Sequence, residues 1–236
     1  NSKKVIVFGC GSDAERQLEC PKENETLVCF ADNDERKQRE GFHGYDVIPP
    51  RKLQEIAFDA VRIASLGATT RIREQLLSLG VSEEKISPTP LWNKENLDRW
   101  EALRGKHKGE RVLVIGNGPS LTTEDLQTLH ENGTTCFAFN KIYLAFEQTD
   151  FRPDYYLVED TLVAQNNAKR INDLEGVYRL YPEFLSRWLK LTEDTAVFGL
   201  NVPEKTSSFT NFSIDHTKIG WGCFRFGRHP QPISRS

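Results

Sequence analysis

Short apolar runs rich in β-branched residues recur along the chain, and amphipathic stretches separate them. In the first ninety residues the order is "KKVIVFG" (strand), "SDAERQLE" (helix), "TLVCFAD" (strand), "RKLQEIA" (helix), "FDAVRIAS" (strand) and "TTRIREQLLSLG" (helix). Strands that alternate with helices pair in parallel through crossovers, so the pattern predicts an α/β domain. Ser12 is placed to cap the first helix, with Glu15 three residues on to complete a capping box, and Gly80 is placed to end the last one. The pattern closes near Ile86.

The next segment, "SPTPLWNKENLDRWEALRGKHKGE", has two prolines, an amphipathic helix carrying Trp92, Leu97, Trp100 and Leu103, and a charged tail. It reads as a connector. From Arg111 the pattern restarts: "RVLVIG" (strand), "TTEDLQTLHENG" (helix, capped by Thr122 or Thr123 and stopped by Gly133), "TTCFAFN" (strand), "KIYLAFEQ" (short helix), "PDYYLVED" (strand), "TLVAQNNAKRINDLEG" (longer helix) and "TAVFGL" (strand). The expected organisation is two consecutive Rossmann-like parallel-sheet domains, residues 1–88 and 110–236, joined by a helical linker at 89–109. The second domain reads as incomplete at its C-terminus, because "FSIDHTKIGWGCFRFG" leads into "RHPQPISRS", which has two prolines and no apolar periodicity.

Composition narrows the function classes. The 236 residues carry a net charge of -3, which gives no general attraction to nucleic acid. Charged residues make up 28%, mean hydropathy is -0.54, and no apolar run approaches the roughly eighteen residues of a membrane span. The N-terminal apolar stretch runs straight into a glycine turn and acidic residues, without the core and cleavage site of a secretory signal, so a cytoplasmic location is expected. Five cysteines without C-x-x-C spacing argue against a disulfide framework or a structural zinc site. The basic run "RGKHKGER" is read as a solvated linker. The chain holds no methionine, so contiguous motifs weigh more here than long spacings.

Two glycine turns carry the candidate chemistry. "GCGSDA" fits G-x-G-x-x-G/A with Gly9, Gly11 and Ala14, and Asp32 ends the next strand, where an acidic residue would meet ribose hydroxyls. Asp13 and Glu15 oppose that reading, since carboxylates in the first helical turn repel a pyrophosphate seated there. A purely structural turn and a nucleotide or nucleotide-sugar site both stay open. This first domain resembles the small Rossmann-like domain that accompanies bacterial sugar-modifying transferases, including the nucleotide-sugar-binding domain of sugar acetyltransferases.

In the second turn, "GNGPSL", Gly116 and Gly118 can take positive φ and leave no side chain between backbone and ligand. Pro119 suits a first helical position and Ser120 adds a hydroxyl, which together suggest an anion site at a helix N-terminus. The next strands end at Asn140 and at Glu159 and Asp160. Ligands of open parallel sheets bind outside the carboxyl ends of the strands, so Asn117, Ser120, Asn140 and Asp160 are expected on one crevice. Asn140 and Asp160 also suit helix caps.

"VLVIGNGPSL", "FAFNKIYLAF" and "FRPDYYLVEDTLV" together resemble the superfamily of bacterial motility accessory factors, archaeal 6-hydroxymethyl-dihydropterin pyrophosphokinases and, more distantly, bacterial sialyltransferases that use CMP-sialic acid. The sialyltransferase branch implies a CMP-type nucleotide sugar held by the turn at Gly116 to Ser120 and by Asn140, with Asp160 facing the nucleotide. The pyrophosphokinase branch implies ATP and magnesium on the same edge, with Asp160 as a metal contact. The first implies transfer of a sugar to a glycan or protein acceptor. His216 in "SIDHTK" is the candidate general base, with a surface histidine beside Asp215 as the alternative. A non-catalytic sugar-nucleotide-binding scaffold is the remaining alternative.

Overall fold

The structure is a computed structural model that describes residues 2–19, 24–201 and 219–220. The chain divides into two compact units between Asn93 and Lys94. Both are α/β units built on parallel strands.

The first unit contains β1 (Lys3–Phe8), α1 (Ser12–Glu19), β2 (Glu25–Ala31), α2 (Glu35–Glu40), β3 (Val47–Ile48), β4 (Ala60–Ile63) and α3 (Thr69–Ser78). Its four strands lie in the order β3-β2-β1-β4, all parallel, with Phe8 opposite Ala31 on one side and Ile63 on the other. Alternate residues of β1 serve opposite faces. Ile6 and Phe8 pack with Leu53, Ile72 and Leu76, while Val5 and Val7 pack with Ala14 and Phe30. A strand covered on both faces reads as an unbroken apolar run, which is why "VIVF" was legible. Strand order reverses between β1 and β4, the position at which doubly wound sheets open a crevice.

Local sequence sets the helix ends. Gly11 accepts hydrogen bonds from the amides of Ala14 and Glu15, so Gly11 opens α1 and Ser12 lies inside the first turn rather than capping it. Gly80 ends α3 as expected: at φ +81° it donates to Leu77 O, and Val81 donates to Leu76 O, the paired bonds of a Schellman motif. Other elements differ from the sequence pattern. "RKLQEIA" contributes to a short 3-10 segment at Pro50–Glu55, since the Pro49-Pro50 pair starts a tight turn, while α2 and β3 were not anticipated.

The second unit contains α4 (Lys94–Leu103), β5 (Leu113–Ile115), α5 (Thr123–Glu131), β6 (Cys136–Phe139), a 3-10 segment (Asn140–Glu147), β7 (Tyr155–Leu157), α6 (Thr161–Asn166), α7 (Ala168–Asn172), β8 (Tyr178–Pro182) and β9 (Thr195–Phe198). The sheet runs β5-β6-β7-β8-β9, all parallel, in sequence order. A separate parallel pair joins β10 (Leu200–Asn201) to β11 (Ile219–Gly220). The anticipated long helix after β7 is broken at Asn167, and β8 went unread because Arg179 interrupts its apolar run.

The two faces of this sheet are covered differently. Ile115, Ala138, Tyr156, Tyr181 and Val197 pack with residues of the crossover segments, including Leu126, Tyr143, Ala164 and Ile171. Tyr155, Leu157, Leu180, Ala196 and Phe198 pack instead with Trp100 and Leu103 of α4. Residues 89–109 are therefore shared between the units. Trp92 precedes the helix, under the Arg73 guanidinium at 4.4 Å, whereas α4 is part of the second unit's core. Asn96 is buried and both accepts from Val197 N (2.8 Å) and donates to Val197 O (3.0 Å); Trp100 Nε1 donates to the same carbonyl at 2.7 Å. The basic run is partly docked too, since the His107 ring bridges Glu110 and the Tyr155 hydroxyl, each at 2.7 Å. Among the described residues, no helix is long and apolar enough to cross a membrane.

Candidate functional site

The first glycine turn is built against its own protein. Gly9 holds φ +110°, and a Cβ there would stand 2.7 Å from the carbonyl oxygen of Ala64 at the end of β4. Both facts demand glycine for the fold itself. Around it, donors are taken by the chain's own carboxylates. Asp32 Oδ2 accepts from Cys10 N at 2.8 Å and meets Lys37 Nζ at 3.3 Å, and Asp32 Oδ1 accepts from Asp34 N. Asp13 is buried and accepts from Leu66 N at 2.9 Å, which ties the start of α1 to the loop after β4. Burial, with the nearby Asp32 charge adding to it, pushes the Cys10 thiol up to about 12. Gly11 leaves open space. An open groove of about 970 Å³ in this unit is lined by Asn33, Gln38, Tyr45, Arg51 and Gln75 among others, and Gly9, Gly11 and Asp32 are not part of its wall.

The second glycine turn has a different character. Residues 116–120 are exposed, and a Cβ on Gly116 would meet nothing within 4 Å. On Gly118 it would meet only Ser120 Oγ, at 3.8 Å. Neither glycine takes the positive φ anticipated for it; what they provide is empty space beside the backbone. Among the described residues, no backbone amide from Gly116 to Ser120 donates a hydrogen bond to the protein. The helix also starts later than Pro119 suggested. Leu121 N closes a turn onto Gly118 O, and α5 begins at Thr123 with Thr122 as its cap. Thr122 Oγ1 accepts from Asp125 N while Asp125 accepts from Thr122 N, a complete capping box. With Glu124 and Asp125 in its first turn, that helix terminus is already satisfied by acid, so the open amides are those of the turn before it.

The structure joins this turn to the next two strand ends. Asn117 Nδ2 donates to Phe139 O at 2.8 Å, and Tyr156 OH donates to Asn140 O at 2.6 Å. Asn140 is held at φ +49°, in the left-handed region, and its side-chain Oδ1 is enclosed without a hydrogen-bond partner. Tyr143, three residues on, is fully buried with an unpartnered hydroxyl, its ring edge-on to Tyr156. Glu159 is half-buried, and its Oε2 is enclosed and unpartnered. Burial, with the charge of Asp160 adding to it, raises the Glu159 carboxyl above its ordinary range. Asp160 caps α6, its Oδ1 accepting from Val163 N at 2.9 Å. Ser120 is exposed. Glu183, buried where β8 ends, stands on the same carboxyl edge.

Gly116, Asn117, Gly118, Ser120, Asn140 and Asp160 thus lie on the ends of three adjacent strands, with Asn117 and Asn140 linked to their neighbours by hydrogen bonds. His216 lies outside the described residues. Sequence reasoning missed Tyr143 and Glu183. Tyr143 sits in an apolar run that reads as plain core, and Glu183 follows the unread strand β8; a polar residue just past a strand end was the available signal.

A family model described as C2185-like, N-terminal, matches residues 1–87. Among solved structures, UDP-D-quinovosamine 4-dehydrogenase from Vibrio fischeri is similar at 24% identity and a TM-score of 0.31, over 43% of this chain and 87% of the other. None of the curated proteins compared with the chain matches it.

Proposed function

We propose that the second unit binds a nucleotide sugar, of the CMP type, and transfers its sugar to a glycan or protein acceptor of the bacterial cell surface. The observation that carries this reading is the turn at Gly116 to Ser120: exposed, uncrowded, with amides that donate to nothing in the described protein, and joined through Asn117 to the strand end bearing Asn140. Backbone N–H groups free at a strand-to-helix turn form an anion cradle that needs no lysine. They would hold the donor phosphate and stabilise it as the leaving group when the acceptor hydroxyl attacks. The resemblance of the "GNGPSL", "AFN" and "LVED" segments to sialyltransferase-like proteins supports the choice of donor class.

Isothermal titration with CMP, UDP and ATP, with and without magnesium, tests the reading. CMP is expected to bind without metal, and Asn117→Ala to weaken it about tenfold by freeing the turn from Phe139. Binding of none of the three, or an unchanged affinity in the variant, overturns the site. ATP binding that requires magnesium moves the assignment to pyrophosphoryl transfer.

A further inference from the structure

We propose that the open groove of the first unit is a second binding site and that its ligand is a neutral oligosaccharide. The inference is independent of the nucleotide reading of the second unit. At about 970 Å³ the groove stands at the upper end of the range of small-molecule sites, with room for more than one sugar ring. Its wall argues against two other ligand classes. Three carboxylates, Glu35, Glu40 and Asp46, balance three cations, Arg39, Arg51 and Lys52, and Arg39 lies 3.8 Å from Glu35, so the wall gives no net attraction to a phosphate. An extended peptide fits no better. β3 is an edge strand; Phe30 N donates to Asp46 O and Asp32 N to Ile48 O, so Asp46 and Ile48 face β2 while Val47 turns its own N–H and C=O to the open side. That single residue, with Pro49 and Pro50 following Ile48, is too little edge for another strand to pair with.

What the wall does offer suits hydroxyl groups. A hydroxyl both donates and accepts, and the outward backbone of Val47 presents one donor and one acceptor to it. Asn33, after β2, and Gln75, on α3, lock each other through two amide hydrogen bonds of 3.0 and 2.9 Å, so both enter the wall already ordered. Side chains fixed beforehand lose less freedom when a ligand arrives. Tyr45 supplies an apolar surface: it is 39% exposed in the wall, and its ring stands edge-on to Phe30 at 5.7 Å. A tight hairpin holds it there, closed by backbone bonds of 3.0 and 2.9 Å between Phe42 and Tyr45, with His43 at φ +48° and Gly44 at φ +82°. Against such a ring the C–H face of a pyranose buries apolar surface while its hydroxyls stay free to meet the amides and the strand edge.

The test is titration of the whole protein with maltotetraose, cellotetraose and chitotetraose, followed by amide correlation NMR, at low and at high NaCl and with or without CMP. At least one of the three is expected to bind with a Kd below about 1 mM, to shift the Val47 amide, and to change in affinity by less than about twofold between the salts. CMP should not displace it. Tyr45→Ala is expected to weaken binding about tenfold or more, and Tyr45→Phe to retain it. Binding of none of the three, no shift at Val47, or an unchanged affinity in Tyr45→Ala with an unchanged melting profile overturns the inference. Loss of binding at high salt, or displacement by CMP, gives the groove to an anionic ligand and overturns it too. Should Tyr45→Ala fail to fold, the Val47 shift in the parent protein decides. The nucleotide site of the second unit is read separately, by the CMP titration, and stands or falls by that alone.

Discussion

The chain carries two glycine turns after two apolar strands, and they have been put to opposite uses. At Gly9 the backbone is pressed against Ala64, Asp32 fills the amide of Cys10, and Asp13 fills that of Leu66, so the protein supplies its own anions. At Gly116 to Ser120 no carboxylate of the described protein takes the amides, and added side-chain atoms would meet little or nothing. A glycine motif identifies a place where the backbone comes close to something. Whether that something is a ligand or the next strand depends on which acceptors the fold brings up to it.

The sharpest test of this contrast is substitution by alanine. Gly9→Ala combines a steric conflict with an unfavourable φ and is expected to destabilise the first unit by about 2–4 kcal/mol in urea unfolding. If it costs no more than Gly118→Ala, expected below about 0.5 kcal/mol, the two turns are not different in kind. Next in size is Asn96→Ala, which leaves the amide of Val197 without its side-chain partner and its carbonyl with Trp100 Nε1 alone; a loss of about 2–3 kcal/mol is expected, confined to the second unit's transition.

Three buried thiols tie the stability of both units to pH. Burial pushes Cys10 up to about 12, and Cys29 and Cys136 up to about 11, from 9.0. Raised folded-state values mean that the stabilisation is complete below pH 9 and is lost as pH climbs toward 11–12. Unfolding free energy should therefore drop by on the order of 1–2 kcal/mol between pH 8.5 and 9.5, and native thiols at these positions should resist iodoacetamide at pH 8.5. The smallest effect tests where the anion sits. Thr122→Ala should cost about 1 kcal/mol through the lost cap, yet leave CMP affinity unchanged, because the proposed seat is the turn before the helix. A tenfold loss of affinity would return the site to the helix terminus.

Much of the fold was legible because the inner strands of these sheets are buried on both faces and announce themselves as unbroken apolar runs, and the edge strand β5 is apolar too although Leu113 and Val114 are exposed. Strand β8 was hidden by Arg179, whose guanidinium reaches the carbonyl of Asn172 and the hydroxyl of Thr192 from within an otherwise apolar stretch. Helix α4 was visible but misplaced, since amphipathicity says that a helix packs and not against which sheet; the face carrying Asn96 and Trp100 found its partner in β9, a hundred residues away. At the candidate site, the strand-end residues Asn117, Asn140 and Asp160 were foreseeable from topology alone. Orphaned acceptors such as those on Asn140 and Glu159 were not, because an absent partner is a property of packing in three dimensions.

That distant pairing of α4 with β9 also imposes an order of events on synthesis. All four strands of the first unit's sheet have been made once Asn93 has cleared the ribosome, whereas α4, next to emerge, must wait for Val197. At typical elongation rates of about 5–20 residues per second, Trp100 spends on the order of 5–20 seconds without the carbonyl it is destined to meet. During that interval the newborn chain carries an amphipathic helix whose apolar face lacks its last partner, a species open to chaperone capture, and slowing translation across β8 and β9 would lengthen it.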